Sequence, residues 1–516
     1  KKGLMQCKEE WARLEDTNPI YLDDWICNVM MKVNAKIRKL EARHSKHHVN
    51  QVLTQDGIKK ELALLHEKYV MVPTDKASNN ISIVCKEFYI STMLTELNVF
   101  DDNKDTSNAT YEKIDSDPEV VIDKHIKKLK EWKLHLDDKL RCLPYMYWIP
   151  KMHKKPSKQR FIAASSRCST KSLSATITKI LKLIDKYHAH EANNIRRNSN
   201  INPYWVVSNS SKVHRMIQKS NQRHDVGNIA THDFSTLYTN IPHKKLKARM
   251  KSVVSKAFEG TGKKFVSVYS SSARWINSPK QSSLAYTKKD VINMINYLID
   301  NVYVTCGDSL YRQKNGIPMG THCAPFLANL FLYSYEYEWM MKMKVEDPIV
   351  ARKFNHSTRY IDDLLTLNND GLMKKYMGEI YPAELELKHE NKDDEHEATY
   401  LDLKLKVINK EIVTSLYDKR GDCSFTIVNF PDLSGNIPQD GSYGVFIAQS
   451  LRYANACVHY HDFIACTKKL KCQLVQQHFD HHTLIRKLNT WMRRSPKSIT
   501  MMKYGFDKQR IASDLN

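Results

Sequence analysis

The spacing of apolar residues changes character several times along the chain. Residues 1 to about 70 carry Trp11, Leu14, Trp25, Met30, Val33 and Ile37 at loosely helical intervals, then Leu62, Leu64 and Leu65, which predicts a helical N-terminal extension. From Tyr69 to Val84 the text is β-branched and broken by Pro73 and Asn79-Asn80, predicting a strand, a turn and a second strand. A polar run over 101–116 reads as a surface loop, and 121–141 as a basic helix. Tyr145 to Ala164 reads as two strands around a basic turn. Short strand-like runs end at Asp233 and flank Asp362-Asp363, while Phe326, Leu327, Leu330 and Phe331 form a helical stripe with Pro325 suited to its first turn. Arg196 to Asn202 and the Ser- and Lys-rich stretch 255–283 predict low order, the second as an insertion. Residues 464–497 are again helical, with Lys468, Lys469, Lys471, Arg486, Lys487, Trp491, Arg493 and Arg494.

Composition narrows the class. With 516 residues and 41% hydrophobic content the chain can bury a large core. Lys and Arg number 80 against 57 Asp and Glu, a net charge of +23, which implies a polyanionic partner, nucleic acid first. An anionic membrane is the runner-up partner, disfavoured because no apolar run approaches the roughly 18 residues of a spanning helix and no basic amphipathic anchor is visible. The 11 cysteines are scattered without a Cys-x-x-Cys pair, pointing to reduced thiols in an intracellular compartment. Histidine clusters such as His44, His47 and His48 have no cysteine pair beside them, so they read as surface or packing residues rather than a zinc site. The Lys-Lys-Gly start, without an initiator methionine, suggests an excised portion of something longer.

Candidate chemistry lies in four segments. In Arg359-Tyr-Ile-Asp-Asp-Leu-Leu-Thr-Leu367 two adjacent acids sit at the centre of an apolar hairpin pattern. Burying both without a cation is costly, although a lone Asp-Asp pair is ordinarily an exposed turn. Asp233, at the end of its own strand-like run, would complete a three-carboxylate set, and such a set suits hard Mg²⁺ together with substrate phosphates. Two metals about 3.5 to 4 Å apart can activate a 3′ hydroxyl and stabilise a leaving pyrophosphate. Gly316 and Gly320 allow close backbone approach to a flat ligand. Lys151 and Arg160, on the hairpin around the basic turn, can fold over a triphosphate, Lys as a point charge and Arg as a fork; alone the hairpin reads as a solvated basic turn.

Taken together, DFSTLYTNIPH (233–243), GIPMGTHCAPFLANLFLYSYE (316–336), YIDDL (360–364) and IVNFPDLSGNIP followed by SYGVFIAQSLRYA (427–454) closely resemble the reverse transcriptases of Penelope-like retroelements, a group related to telomerase catalytic subunits. PTDKASNNISIVCKEFY (73–89) and RFIAASSRCSTKSLS (160–174) are similar too, so the resemblance runs from about Tyr69 to Phe463. It implies an α+β right hand: an N-terminal helical extension over 1–70, fingers with the start of the palm over 71–225, a palm with an antiparallel sheet over 226–415 containing the insertion near 255–283, a primer-grip region over 416–463 and a helical thumb over 464–516. It assigns Asp233, Asp362 and Asp363 to two Mg²⁺ ions, with Mn²⁺ as substitute and the Phe234 backbone as a further ligand. Tyr238 falls where this polymerase class sets a bulky side chain against the sugar 2′ position, implying deoxynucleotides; Met319 and Gly320 match the turn beneath the incoming base. Lys151 and Arg160 match the triphosphate pair, Lys76 a nucleic-acid contact, and Arg486, Lys487 and Arg493 a thumb tracking phosphates. Lys388 is the expected general acid, with Lys392 the alternative and a solvated strand edge the plainer reading of both.

The implied activity is an RNA-directed DNA polymerase using an RNA template, a DNA primer or target and dNTPs, and the implied location is the nucleus. Many members of that group carry a GIY-YIG endonuclease after a cysteine-rich connector, and neither motif occurs up to Asn516, so no target cleavage is expected of these residues. An RNA-dependent RNA polymerase shares the acid pair, with Tyr238 arguing against it. A polymerase-derived binding protein that keeps only the basic groove is the third reading.

Overall fold

The structure is a computed structural model that describes residues 19–44, 54–99, 110–154, 156–280, 283–317, 319–391, 396–425, 427–435, 437–496 and 508–515. Trp11, Leu14, Pro318 and Lys392 lie outside the described residues. The chain divides into two compact units, Lys1–Lys68 and Tyr69–Asn516. The first contains α1 (Pro19–His44) and α2 (Gln55–Lys68), and on α1 the side chains of Met30, Val33 and Ile37 are exposed.

The second unit opens with an antiparallel hairpin, β1 (Tyr69–Thr74) and β2 (Ala77–Cys85), turned at Asp75-Lys76, where Lys76 takes a φ of 62°. After α3 (Lys86–Glu96) come β3 (Tyr111–Ile114) and α4 (Pro118–Glu131), whose Asp117 cap accepts from the Glu119 amide and is followed by Pro118, a proper helix start. A second hairpin pairs β4 (Met146–Lys151) with β5 (Lys158–Ala163). The two hairpins are tied together. The Asp75 amide donates to Pro150 O at 3.0 Å, and the Trp148 indole stacks on Tyr89 at 4.5 Å while its Nε1 donates to Tyr89 O.

Next, α5 (Lys171–Ser199) buries Ile177, Ile180, Leu181 and Ile184 along one stripe, and α6 (Ser210–Asn221) buries Val213 and Ile217. β6 (Ile229–Ser235) is followed by the single turn α7 (Leu237–Asn240) and by α8 (His243–Thr261). β7 (Phe265–Val268), β8 (Ala273–Ile276) and β9 (Leu284–Thr287) form a sheet in the order β8-β7-β9. Past α9 (Lys288–Asp300), β10 (Tyr303–Cys306) and β11 (Ser309–Gln313) pair with β3 in the order β10-β11-β3. The long α10 (Ala324–Glu346) and α11 (Pro348–Lys353) lead to β12 (Ser357–Tyr360) and β13 (Asp363–Leu367), then α12 (Leu372–Ile380) and β14 (Glu386–His389). These strands make the central antiparallel sheet, β12-β13-β6-β14.

One main core lies behind that sheet. Phe234, Leu364 and Leu387 from the strands meet Leu327, Leu330 and Phe331 of α10, with α5, α8 and α9 outside them. Three strands, β15 (Glu397–Tyr400), β16 (Leu403–Ile408) and β17 (Glu411–Leu416), close into their own sheet, and α13 (Gly444–Ala456), α14 (Tyr460–Gln476) and α15 (His481–Arg494) pack around Phe446, Phe463, Leu474 and Leu488. Among the described residues no helix is long and apolar enough to cross a membrane.

Three expectations about order are corrected. The stretch 255–283 completes α8 and then builds β7 and β8, with Val266 and Val268 in the main core; its Ser and Lys codes hide alternating apolar positions. Arg196 to Asn202 is the end of α5, closed by Asn200 at φ 53° and anchored by buried Ile201, so its polarity reflects a helix terminus and cap. The loop 101–116 contains β3, whose Tyr111 is buried.

Candidate active site

The central sheet brings the three acids together by register. β6 runs antiparallel to β13 with Asp233 opposite Asp363, and β12 pairs with β13 so that Tyr360 faces Asp363 across a two-residue turn, Ile361-Asp362. Directly opposed residues of an antiparallel pair project from the same face. One carboxylate oxygen from each of Asp233, Asp362 and Asp363 therefore lies within 4.8 Å of the others. The turn is welded to β6 by the Phe234 amide, which donates to Asp362 O at 3.1 Å. The Phe234 ring is buried edge-on against Tyr381, so its main chain rather than its side chain faces the acids' turn.

The turn is strained and held from below. Ile361 adopts a φ of 56°, a left-handed conformation that β-branched residues rarely take. Arg359, wholly buried, reaches under it: Nη1 donates to Ile361 O and to Asn329 Oδ1, each at 2.9 Å, and Nη2 to Asn329 O at 3.1 Å. Its charge is met by Glu336 of α10, also fully buried, at 2.5 Å through Nε, and Tyr381 donates to the same carboxylate at 2.9 Å. The polar network is thereby paired on every side, which is what a buried ion pair requires.

Electrostatics make the three acids a set that could hold a cation. Burial, then Asp362, Glu390 and Asp363, push the Asp233 carboxyl up to about 7, and burial with Asp362 pushes Asp363 up to about 6. Both hold protons far more tightly than a free aspartate, and a cation would relieve the repulsion. Lys154 counteracts the rise at Asp233, and Lys419 and Lys76 counteract it at Asp363, so three ammonium groups lie within electrostatic reach of the acids.

Those lysines belong to a basic cluster built by the two hairpins. Arg160 pairs with nearly buried Asp75 at 3.1 Å. Burial and neighbouring cations lower both Lys151, beside Arg160, and Lys76, beside Lys419. Lys76, Lys151 and Arg160, read separately in the sequence, thus lie together around Asp75, with Lys154 added from the β4–β5 turn and Lys419 from the short helical turn Lys419–Asp422.

A glycine loop joins these parts. Gly316 has a φ of 85° and stands so close to α7 that an added Cβ would lie 2.2 Å from Tyr238 O; the Ile317 amide donates to that same oxygen at 2.6 Å. Gly320, at φ 112°, would place a Cβ 2.4 Å from Ala163 O. Ala163 at the end of β5 donates to Met319 O at 3.0 Å, and the Ser165 hydroxyl donates to Gly320 O at 2.6 Å. The loop therefore links the β4–β5 hairpin to the sheet carrying the acids. Tyr238 is close enough to Asp362 for that charge, after burial, to raise its phenol.

Lys388 lies opposite Asp233 on the edge strand β14, in the same cross-strand row, but its ammonium is exposed and pairs with Glu386 at 3.2 Å. Arg486, Lys487 and Arg493 share α15, where Lys487 pairs with Asp440 at 3.6 Å, and they are not among the groups that perturb the acids. Sequence reasoning missed Lys154, Lys419, Glu390 and the Arg359–Glu336 pair. An arginine three residues before the acid pair, inside an otherwise apolar strand pattern, was the available signal for Arg359.

The sequence matches no protein-family model and no curated protein. In structure the chain is similar to telomerase from Candida albicans, solved in complex with a TWJ fragment of telomeric RNA, with 11% identity and a TM-score of 0.57 over 88% of this chain and 71% of that one. Apo telomerase from Candida tropicalis (10% identity, TM-score 0.47, 88% of this chain and 76% of that one) and the RNA-dependent RNA polymerase of a human picobirnavirus (10%, 0.38, 97% and 88%) are less similar. The fold is that of a right-hand polymerase, with a mixed α and β body and an antiparallel central sheet.

Proposed function

We propose that this right hand is an RNA-directed DNA polymerase, transferring deoxynucleotides to the 3′ hydroxyl of a DNA primer on an RNA template. The observation that carries it is the convergence of Asp233, Asp362 and Asp363, from strands far apart in the chain, on one face of the sheet opposite a basic hairpin cluster. The resemblance of the motifs extends the reading to a Penelope-like retroelement enzyme, acting in the nucleus in target-primed or telomere-primed retrotransposition.

Three converging carboxylates with raised proton affinity are a fitting donor set for Mg²⁺, with Mn²⁺ as substitute and the Phe234 carbonyl as a further oxygen. When bound, two such ions supply the lowered pKa of the primer hydroxyl and the charge stabilisation of the departing pyrophosphate. The chain's own residues do the rest. Lys151, Arg160 and Lys76, with Lys154 and Lys419, hold the triphosphate; Arg160 exchanges Asp75 for a phosphate oxygen. The primer 3′ oxygen attacks the α-phosphorus, and the bond to the pyrophosphate oxygen breaks. Lys388, on leaving Glu386, would deliver a proton to that oxygen. Tyr238, fixed by the Gly316 contact, sits against the sugar 2′ position, and Met319 with Gly320 supports the base. Arg486, Lys487 and Arg493 track the duplex backbone. Alignment and charge stabilisation account for most of the rate gain.

The test is primer extension on an RNA template with dNTPs or NTPs, with and without Mg²⁺, for the unaltered protein, Asp362→Ala and Tyr238→Ala. Metal-dependent dNTP addition that disappears in Asp362→Ala, with ribonucleotide addition rising in Tyr238→Ala, is the expected outcome. A preference for NTPs in the unaltered protein would make it an RNA polymerase. Tight nucleic-acid binding without extension by any of the three would leave a binding protein.

A further inference from the structure

Away from the acids, a groove of about 990 Å³ opens between the end of α5, one face of α6 and the start of β12. Its lining holds Arg196, Lys212, Arg215, Lys219 and Arg223, and among the described residues no carboxylate lines it. Lys212, Arg215 and Lys219 recur at helical spacing on α6, with Arg223 one turn further on, while Val213 and Ile217 face the core on the opposite side. Each of these basic side chains is exposed, and none makes an ion pair with a described carboxylate. An ordinary solvated helix face mixes signs; this one carries a single sign over several turns.

A second observation concerns the floor. His356, Ser357 and Thr358 line the same groove, and His356 Nδ1, Ser357 Oγ and Thr358 Oγ1 are buried polar atoms with no hydrogen-bond partner among the described residues. Ser357 is 1% exposed and Thr358 7%. Unpaired buried polar atoms are costly; Ser357 turns to the other face of β12, while His356 and Thr358, two residues apart on the side toward α6, lie beneath a cationic rim and fit a ligand that brings both negative charge and hydroxyl groups. Burial, with Arg223 and Arg196, holds His356 below its ordinary value, leaving a neutral imidazole that can accept a hydrogen bond.

We propose that this groove is a second nucleic-acid site that holds a single RNA strand, with Lys212, Arg215, Lys219, Arg223 and Arg196 on its phosphates and His356 and Thr358 toward its ribose 2′ hydroxyls. The 2′ hydroxyl is both donor and acceptor, and is the group by which a protein separates RNA from DNA. The site rests on charge and on unpaired polar atoms, and it does not depend on the polymerase chemistry proposed above. Its role is to hold RNA outside the cleft that carries the acids.

The test uses the full chain without primer, dNTP or divalent ion, so catalysis plays no part. Affinity for an unstructured RNA oligonucleotide of about 20 nucleotides, and for the DNA of the same sequence, is measured across a salt series for the unaltered protein and for Lys212→Glu/Arg215→Glu/Lys219→Glu. A control variant, Lys124→Glu/Lys127→Glu/Lys130→Glu on α4, changes net charge equally at a distant surface. For the α6 variant the expected result is RNA binding weaker by at least about tenfold near 0.15 M salt and a log–log salt slope shallower by about 2, since each single-strand phosphate contact contributes about 0.7. The control should lose far less. Equal losses in both variants would assign the effect to net charge and overturn the site. Unaltered protein binding DNA as tightly as RNA, with the same loss in the α6 variant, would overturn the assignment to RNA. Primer extension by the α6 variant at saturating template reads the polymerase separately, so failure there and failure here are distinguishable.

Discussion

Replacing Arg359 with methionine removes the cation from a fully buried pair and leaves the Glu336 carboxylate without its partner in the core. Breaking one side of such a pair costs about 3–5 kcal/mol, against roughly zero for removing both charges with volume kept. At about 1.4 kcal/mol per decade, amide exchange in the central sheet should accelerate by about two to three and a half orders of magnitude, read at Phe234 and at the β13 amides Leu364 to Thr366. The double variant Arg359→Met/Glu336→Leu should recover most of that protection. It still lacks the donor to Ile361 O, so the left-handed turn, a conformation costing about 1–3 kcal/mol, is no longer held in register with Asp233. Extension should therefore stay low in the double variant although the sheet is restored. Single-variant protection lowered by less than tenfold would refute the buried-pair reasoning, and a double variant with full activity would refute the positioning role.

Gly316→Ala places a Cβ 2.2 Å from Tyr238 O in a left-handed backbone, so the loop must move; extension should fall at least tenfold with little change in duplex affinity, and unchanged extension would show that the loop is not registered by this contact. In the metal-free protein Asp233 and Asp363 have native values near 7 and 6, above their unfolded values, so their contribution is present at low pH and lost as pH rises through that range. Mg²⁺ should therefore raise the melting temperature more at pH 8 than at pH 5.5, and an equal rise at both would speak against these acids as its ligands.

The acids were legible because each stands where an apolar, β-branched run ends, and such a run buries only one face. What linked them, the opposition of Asp233 to Asp363, depends on pairing between distant segments that no local pattern encodes. The same holds for Lys419, which reaches the acids from beyond β17. Arg359 was hidden for a different reason: an arginine in a strand reads as solvent-facing, and only Glu336, one α10 face away, makes its burial tolerable. The stretch 255–283 misled through its serines and lysines, although Val266 and Val268 carried the alternation that places β7 on the core. Lys388 stands opposite Asp233 in the strand register, and its exposed pairing with Glu386 comes from the edge placement of β14, which no local pattern encodes.

The direct opposition of Asp363 to Asp233 also sets where the chain can change length. Side chains alternate faces along a strand, so one residue added within Ile229–Ser235 or Asp363–Leu367 would turn an acid away from its partners. Between those two strands, additions at the β7–β8 or β8–β9 turns leave the opposition intact, because the sheet is closed by pairing and not by the length of the path between its strands. Insertions and deletions should therefore accumulate in the intervening segments and be excluded from a few positions only, which makes the acid register a ruler for recognising this site in chains of very different length.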